Sequence, residues 1–154
     1  MAMSRTHLTI VILVFVAIIA LFTMMEVSLP SVSHISNDSS VVFTRINKDE
    51  GTLTIVGSRT PNTMYRVKIA DTEEERSQGL SGVLSLKDDE GMLFLFPEEG
   101  YHTFWMKDMH FPLDLVWIDS SWNIVSTTKN ATPESYPTLF SPPRPVQYVL
   151  EIPS

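Results

Sequence analysis

The order of apolar and polar positions divides the chain in two. Residues 8–25, LTIVILVFVAIIALFTMM, form an uncharged apolar run in which threonine is the sole polar type. Such a run can cross the hydrocarbon core of a bilayer, which takes roughly 20 apolar residues in a helix. A helix lying on a soluble core would carry polar residues at helical spacing, and this run carries none. Arg5 precedes it and Glu26 follows it, an asymmetry that favours a cytoplasmic N-terminus. The run is longer than the roughly 7–15 residues of a cleavable signal core, and no Ala-x-Ala site follows it. The expectation is an uncleaved anchor over residues 1–29, with a cleaved signal peptide as the alternative. Either puts the rest of the chain outside the cytoplasm.

Beyond the anchor, PSVSHISNDSS at residues 30–40 is short, polar and serine-rich, and reads as a flexible stalk. A domain over residues 41–154 follows. VVFTRI, NKDEG and TLTIV predict a hairpin of two β-branched runs about a turn. MYRVKIA alternates as a strand does, with Met64, Arg66 and Lys68 opposite Tyr65, Val67 and Ile69. ADTEEERSQGL predicts a short helix: Asp71 or Thr72 can cap it, with Glu74 or Glu75 three residues on as in a capping box. Gly79 is placed to end it. GMLFLF reads as a strand buried on both faces, PEEG as a turn, YHTFWMK as a strand and DMHFP as a loop leading into the strand LDLVWID. IVSTTKN and VQYVLEI are further strands, the last reached through a proline-rich tract. These elements predict one small α+β domain, mainly β: a barrel- or sandwich-like antiparallel sheet with one or two short helices, preceded by the transmembrane helix.

Composition then removes several classes of function. The chain has no cysteine, hence no disulfide, thiolate metal site or cysteine nucleophile. Its net charge of −7 repels phosphates and argues against a nucleic-acid partner. A metal site from His102, His110 and a carboxylate is conceivable, but two histidines eight apart without an HExxH are weak evidence, and no metal or cofactor is expected. No GxSxG marks a serine nucleophile.

FWMKDMHFPLDLVWID, residues 104–119, holds the candidate chemistry. Leu113, Leu115 and Trp117 share one face of a strand, and Asp114, Val116 and Ile118 the other, so Asp114 is a carboxylate among apolar neighbours. Such a group needs donors or a cation. A hairpin across DMHFP would set Lys107 opposite Asp114, with Trp105 on the face of Lys107. Met109 and Phe111 would form an apolar lip beside that pair, as in a ligand pocket. A pairing of Asp114 with Glu151 or Asp71 for glycosidic cleavage is conceivable, but no spacing selects it.

Several separated motifs resemble those of the DUF192 (UPF0127) family: R-x-x-G-L from Arg76, G-M-L-F-x-F from Gly91, F-W-M-K-D-M, then P-L-D, and Y-V-L-E near the end. The likeness runs over about residues 53–152 and marks Arg76, Gly79, Leu80, Gly91, Met92, Trp105, Met106, Lys107, Pro112 and Asp114. It implies a small β-rich domain, often exported or anchored, with no established reaction. Val83 stands where the family commonly has an arginine, and a further A-G and terminal G-D segment is missing after Glu151, so a shortened sheet is expected. The sequence thus predicts a membrane-anchored extracytoplasmic module. It would bind a small molecule or glycan through Trp105, Lys107, Asp114, Arg76 and Met109. The alternatives are a cell-envelope hydrolase using Asp114 with Lys107, and a structural or interaction domain.

Overall fold

The computed structural model describes residues 39–57 and 61–154. The anchor and nearly all of the stalk lie outside the described residues; among these, no helix is long and apolar enough to cross a membrane.

Seven strands form one curled sheet: β1 (Ser39–Arg45), β2 (Glu50–Gly57), β3 (Thr63–Ala70), β4 (Glu90–Gly100), β5 (Leu113–Ile118), β6 (Ile124–Ala131) and β7 (Val146–Pro153). Their order across the sheet is β1-β2-β3-β4-β7-β5-β6. The first hairpin is the predicted one, pairing Phe43 with Leu53 across the turn. Ser39 and Ser40, assigned to the stalk by their polarity, open β1 instead. The two edges of the sheet approach each other where the Val41 amide donates to the Trp122 carbonyl at 2.8 Å. Phe43, Trp122 and Tyr148 stack beneath that seam, with ring centroids 5.3 and 4.0 Å apart.

One pair breaks the expected antiparallel order. β3 runs parallel to β4, with Val67 beside Gly91. A parallel pair needs a crossover connection, and the segment from Asp71 to Asp89 supplies it through α1 (Glu73–Gln78). The Thr72 hydroxyl accepts from the Glu75 amide at 3.2 Å, and the Glu75 carboxylate accepts from the Thr72 amide at 3.0 Å. This is the capping box read from the sequence, with Thr72 rather than Asp71 at the cap. Asp71 instead meets Arg45 at 2.7 Å. Gly79 ends the helix at φ 51° and ψ −135°, a backbone that a β-carbon would strain.

Three other expectations need correction. PEEG does not turn the chain; β4 continues through it to Gly100, with a register shift after Leu95. YHTFWMK is not a ladder strand: only Phe104 pairs, with Phe140 of the proline-rich tract, through backbone bonds of 2.9 and 2.8 Å. The hairpin between this segment and β5 therefore does not form. Both edges of β5 are taken, one by β6 and the other by β7. A strand has two edges, so long-range pairing with the C-terminal segment excludes the local one.

The strand β7 sits between β4 and β5, inside the sheet. Its alternation sorts the core into two clusters. Trp117, Leu115, Leu113, Phe94, Met106 and Leu80 belong to one, and Leu53, Val67, Leu93, Val116, Ile118 and Leu150 to the other. Fully burying side chains of this size stabilises by roughly 1.5–3 kcal/mol each. Gly91 is needed where β4 presses on β7, because a β-carbon there would lie 2.6 Å from the Glu151 carbonyl oxygen.

Candidate functional site

A cavity of about 730 Å³ opens on the Trp117 face of the sheet. Its size falls in the range of small-molecule sites. α1 and the turn after it contribute Arg76, Gly79 and Leu80, β4 contributes Phe94 and Phe96, and β7 contributes Glu151. The irregular segment after β4 adds His102, Phe104 and Trp105 to the wall, with Met109 beyond them. That segment is held without a ladder. The Gly82 amide donates to the Asp108 carbonyl at 2.9 Å and the Ser81 hydroxyl to the Lys107 carbonyl at 3.1 Å. Ser81 and Gly82, just past the helix end at Gly79, are therefore the strut for the cavity wall.

Glu151 is the most unusual group in the molecule. It is 5 % exposed, and its ladder neighbours are Met92 on β4 and Leu115 on β5. Its carboxyl has no hydrogen-bond or ionic partner among the described residues. An ionised carboxylate in such surroundings would lose its hydration with nothing in return. Burial accordingly pushes its pKa up to about 8, and the group is largely neutral at pH 7. The neutral acid brings one O–H donor and an acceptor oxygen to the cavity.

Arg76 is the cation of the cavity. One terminal nitrogen donates to the Asp71 carbonyl at 2.6 Å and to the Leu95 carbonyl at 2.9 Å. The guanidinium lies 5.2 Å from the centre of the Phe96 ring. Its other terminal nitrogen and Nε have no protein acceptor, and no carboxylate lies within ion-pair distance among the described residues. The fork is fixed in place with donors to spare, the condition for taking an anion. His102 stacks on Phe96 with centroids 3.5 Å apart, its Nε2 3.2 Å from the Glu98 carbonyl. Burial lowers the His102 pKa against the effect of that hydrogen bond, and the charge of Arg76 lowers it further.

The residues singled out from sequence are thus divided. Arg76, Trp105 and Met109 line the cavity. Lys107 and Asp114 do not, and they do not pair with each other. Lys107 holds its ammonium 5.8 Å from the centre of the Trp105 ring. One oxygen of Asp114 accepts from the Asn130 amide and from the Ser154 hydroxyl, both at 2.8 Å, which ties β5 to β6 and to the chain end. Asp114 also raises the pKa of Tyr65, after burial, which is the larger cause. Among the described residues, no three His, Asp or Glu side chains gather as a metal site would require.

Glu151 enters the sequence reading only as a conceivable partner of Asp114, and Phe94, Phe96, Phe104 and His102 were not among the expected ligand-binding residues, yet all five line the cavity. The available signal was a single acid between Leu150 and Ile152 in a strand otherwise apolar at that end. Four of the separated motifs meet here: R-x-x-G-L, G-M-L-F-L-F, F-W-M-K-D-M and Y-V-L-E each put side chains into this cavity. P-L-D does not.

Comparison with known proteins agrees with this architecture. A protein of unknown function from Novosphingobium aromaticivorans DSM 12444 is 26 % identical, with a TM-score of 0.65 over 77 % of this chain and 84 % of its own. A "putative transcription regulator" from Sinorhizobium meliloti 1021 is 29 % identical, with a TM-score of 0.66 over 72 % of this chain and 85 % of its own. No curated protein matches the sequence. The sequence model of DUF192, described as "Uncharacterized ACR", matches residues 54–154. By that match across most of its length, the chain belongs to the DUF192 family.

Proposed function

We propose that the domain is a small-molecule binding module, held by residues 8–25 at a membrane with its C-terminal domain outside the cytoplasm. The observation that carries the reading is the cavity itself, with Glu151 buried and unpartnered on its wall. With no protein group bonded to it, the Glu151 carboxyl is open to the cavity alone, and a ligand seated there would take up its O–H donor and acceptor oxygen. Phe96, Phe104 and Trp105 offer flat apolar surface for the body of the ligand, and Trp105, half exposed, stands at the mouth. A glycan could stack there as well.

The hydrolase reading built on Asp114 and Lys107 has less to support it. The two groups stand apart, and the hydrogen bonds to Asp114 come from a backbone amide and a hydroxyl. A nucleic-acid role, suggested by the description of the Sinorhizobium protein, is opposed by the net charge of −7.

The test is a fragment screen by ligand-observed NMR on the full chain and on Leu139→Trp. Leu139 is exposed and lines the cavity, so an indole there fills space at little cost to the fold. Fragments that bind the wild type and are lost in Leu139→Trp support the reading. A screen without any such fragment contradicts it. The placement outside the cytoplasm is tested by a C-terminal alkaline phosphatase fusion, which is active only there.

A further inference from the structure

The donors in the cavity define a class of ligand, and this inference rests on the binding reading above. Arg76 supplies one fixed cation with unused N–H groups. A single positive charge neutralises a monoanion and leaves a dianion in excess. α1 lines the cavity from Glu73 in its first turn to Gln78 and Gly79 at its end, and the Glu73 carboxylate opposes a second negative charge on the ligand. The planar fork of an arginine matches the two oxygens of a carboxylate. Beyond Arg76 the wall mixes the aromatic rings of Phe94, Phe96, Phe104 and Trp105 with polar groups, Glu151 among them.

We propose that the cavity selects small organic monocarboxylates: Arg76 takes the ligand carboxylate, and a hydroxyl or carbonyl oxygen on the ligand body accepts a hydrogen bond from the Glu151 carboxyl. The charged or titratable groups that share the cavity with Glu151 are Arg76 and Glu73 of α1, with His102 and Tyr101 after β4. Met92 and Leu115, beside it on the flanking strands, carry no charge. Ionising Glu151 would set a carboxylate against the bound one and remove the donor, so binding weakens as pH rises.

The experiment titrates the full chain calorimetrically with 3-(hydroxymethyl)benzoate, its primary amide and phenyl phosphate, at pH 7 and pH 9.5. None of these probes titrates between those values, and His102 is already largely neutral at the lower one. The carboxylate should bind at least tenfold more tightly than either other probe at pH 7. Its affinity should fall about thirtyfold at pH 9.5, the loss expected if only the neutral Glu151 form, with its pKa of about 8, is competent. Glu151→Gln, neutral at both values, should lose the pH dependence. Arg76→Gln should lose the preference for the carboxylate and still bind the amide, which also reports that the variant is folded.

Equal binding of acid and amide overturns the proposal, as does a preference for the phosphate or a pH dependence that survives in Glu151→Gln. If cavity fragments appear in the screen above and the carboxylate is not among the binders, the ligand class falls and the binding reading stands. If nothing occupies the cavity, both fall.

Discussion

Two carboxylates lie one residue apart in the ladder and have opposite fates. Asp114 of β5 pairs with Ile152, and Glu151 of β7 pairs with Leu115, so the two acids point to opposite faces of one sheet. Asp114 lies at a strand end within reach of a backbone amide and a hydroxyl, both of which donate to it. Glu151 lies mid-strand, where the neighbouring backbone groups are spent on the ladder and the neighbouring side chains are apolar. An apolar sequence context is common to both and does not distinguish them. What distinguishes them is whether a donor is free nearby, and the topology decides that.

The comparison can be broken most strongly through pH. Glu151 has a folded pKa of about 8 against an ordinary value of 4.5. Between these values the unfolded chain has released the proton and the folded chain still holds it. The Glu151 contribution to stability is therefore full below about pH 4.5, falls as pH rises, and levels off above about pH 8. The accumulated loss is roughly 5 kcal/mol from this one group. Urea unfolding at pH 5 and pH 8.5 should show it for the wild type, and Glu151→Gln should flatten the profile. A wild type equally stable at both values would show that Glu151 ionises normally.

Asp119 sharpens the contrast as a buried acid with every partner in place. It is 8 % exposed and accepts from the Ser121 and Asn123 amides at 3.0 and 2.9 Å, and from Arg144 at 3.1 Å. Burial raises its pKa, yet the bonds from Asn123, Arg144 and Ser121 together outweigh burial and hold it below the usual range. Its contribution is present above the unfolded pKa and is lost as pH falls through the folded one, the reverse of Glu151. Asp119→Ala should cost about 2–4 kcal/mol in urea unfolding at pH 7, by releasing the β5–β6 turn and Arg144. Ligand affinity should not change.

Asp114→Asn is the mildest of the three. The amide oxygen can still accept from Asn130 and Ser154, so the loss in melting experiments should stay near or below about 1 kcal/mol. Fragment binding should be unaltered. A loss of binding with stability retained would return the site to Asp114.

The same contrast explains how far the sequence could be read. The β1–β2 hairpin, the β3 alternation, the capped helix and the split of β5 into two faces are local patterns, and the chain adopts them. The placement of β7 is not local. VQYVLEI is legible as a strand, and nothing in its residues says that it inserts between β4 and β5. That insertion removes the expected hairpin, separates Lys107 from Asp114 and carries Glu151 into the cavity. Arg76, Trp105 and Met109, expected from sequence at a ligand site, line the cavity, two of them marked by motif and one by the apolar lip. Phe94 and Phe96 sit in a run whose apolar character is satisfied by core packing alone, and nothing in the sequence places His102 on Phe96.

The most direct measurement compares the two acids in one sample. An NMR titration of the labelled full chain with a cavity-binding fragment should shift the Arg76 Nε–H and Trp105 indole signals, leaving the Asn130 amide and the Ser154 region unmoved. Shifts centred on Asn130 and Ser154, with Arg76 and Trp105 silent, would contradict the assignment of the site to the Glu151 cavity.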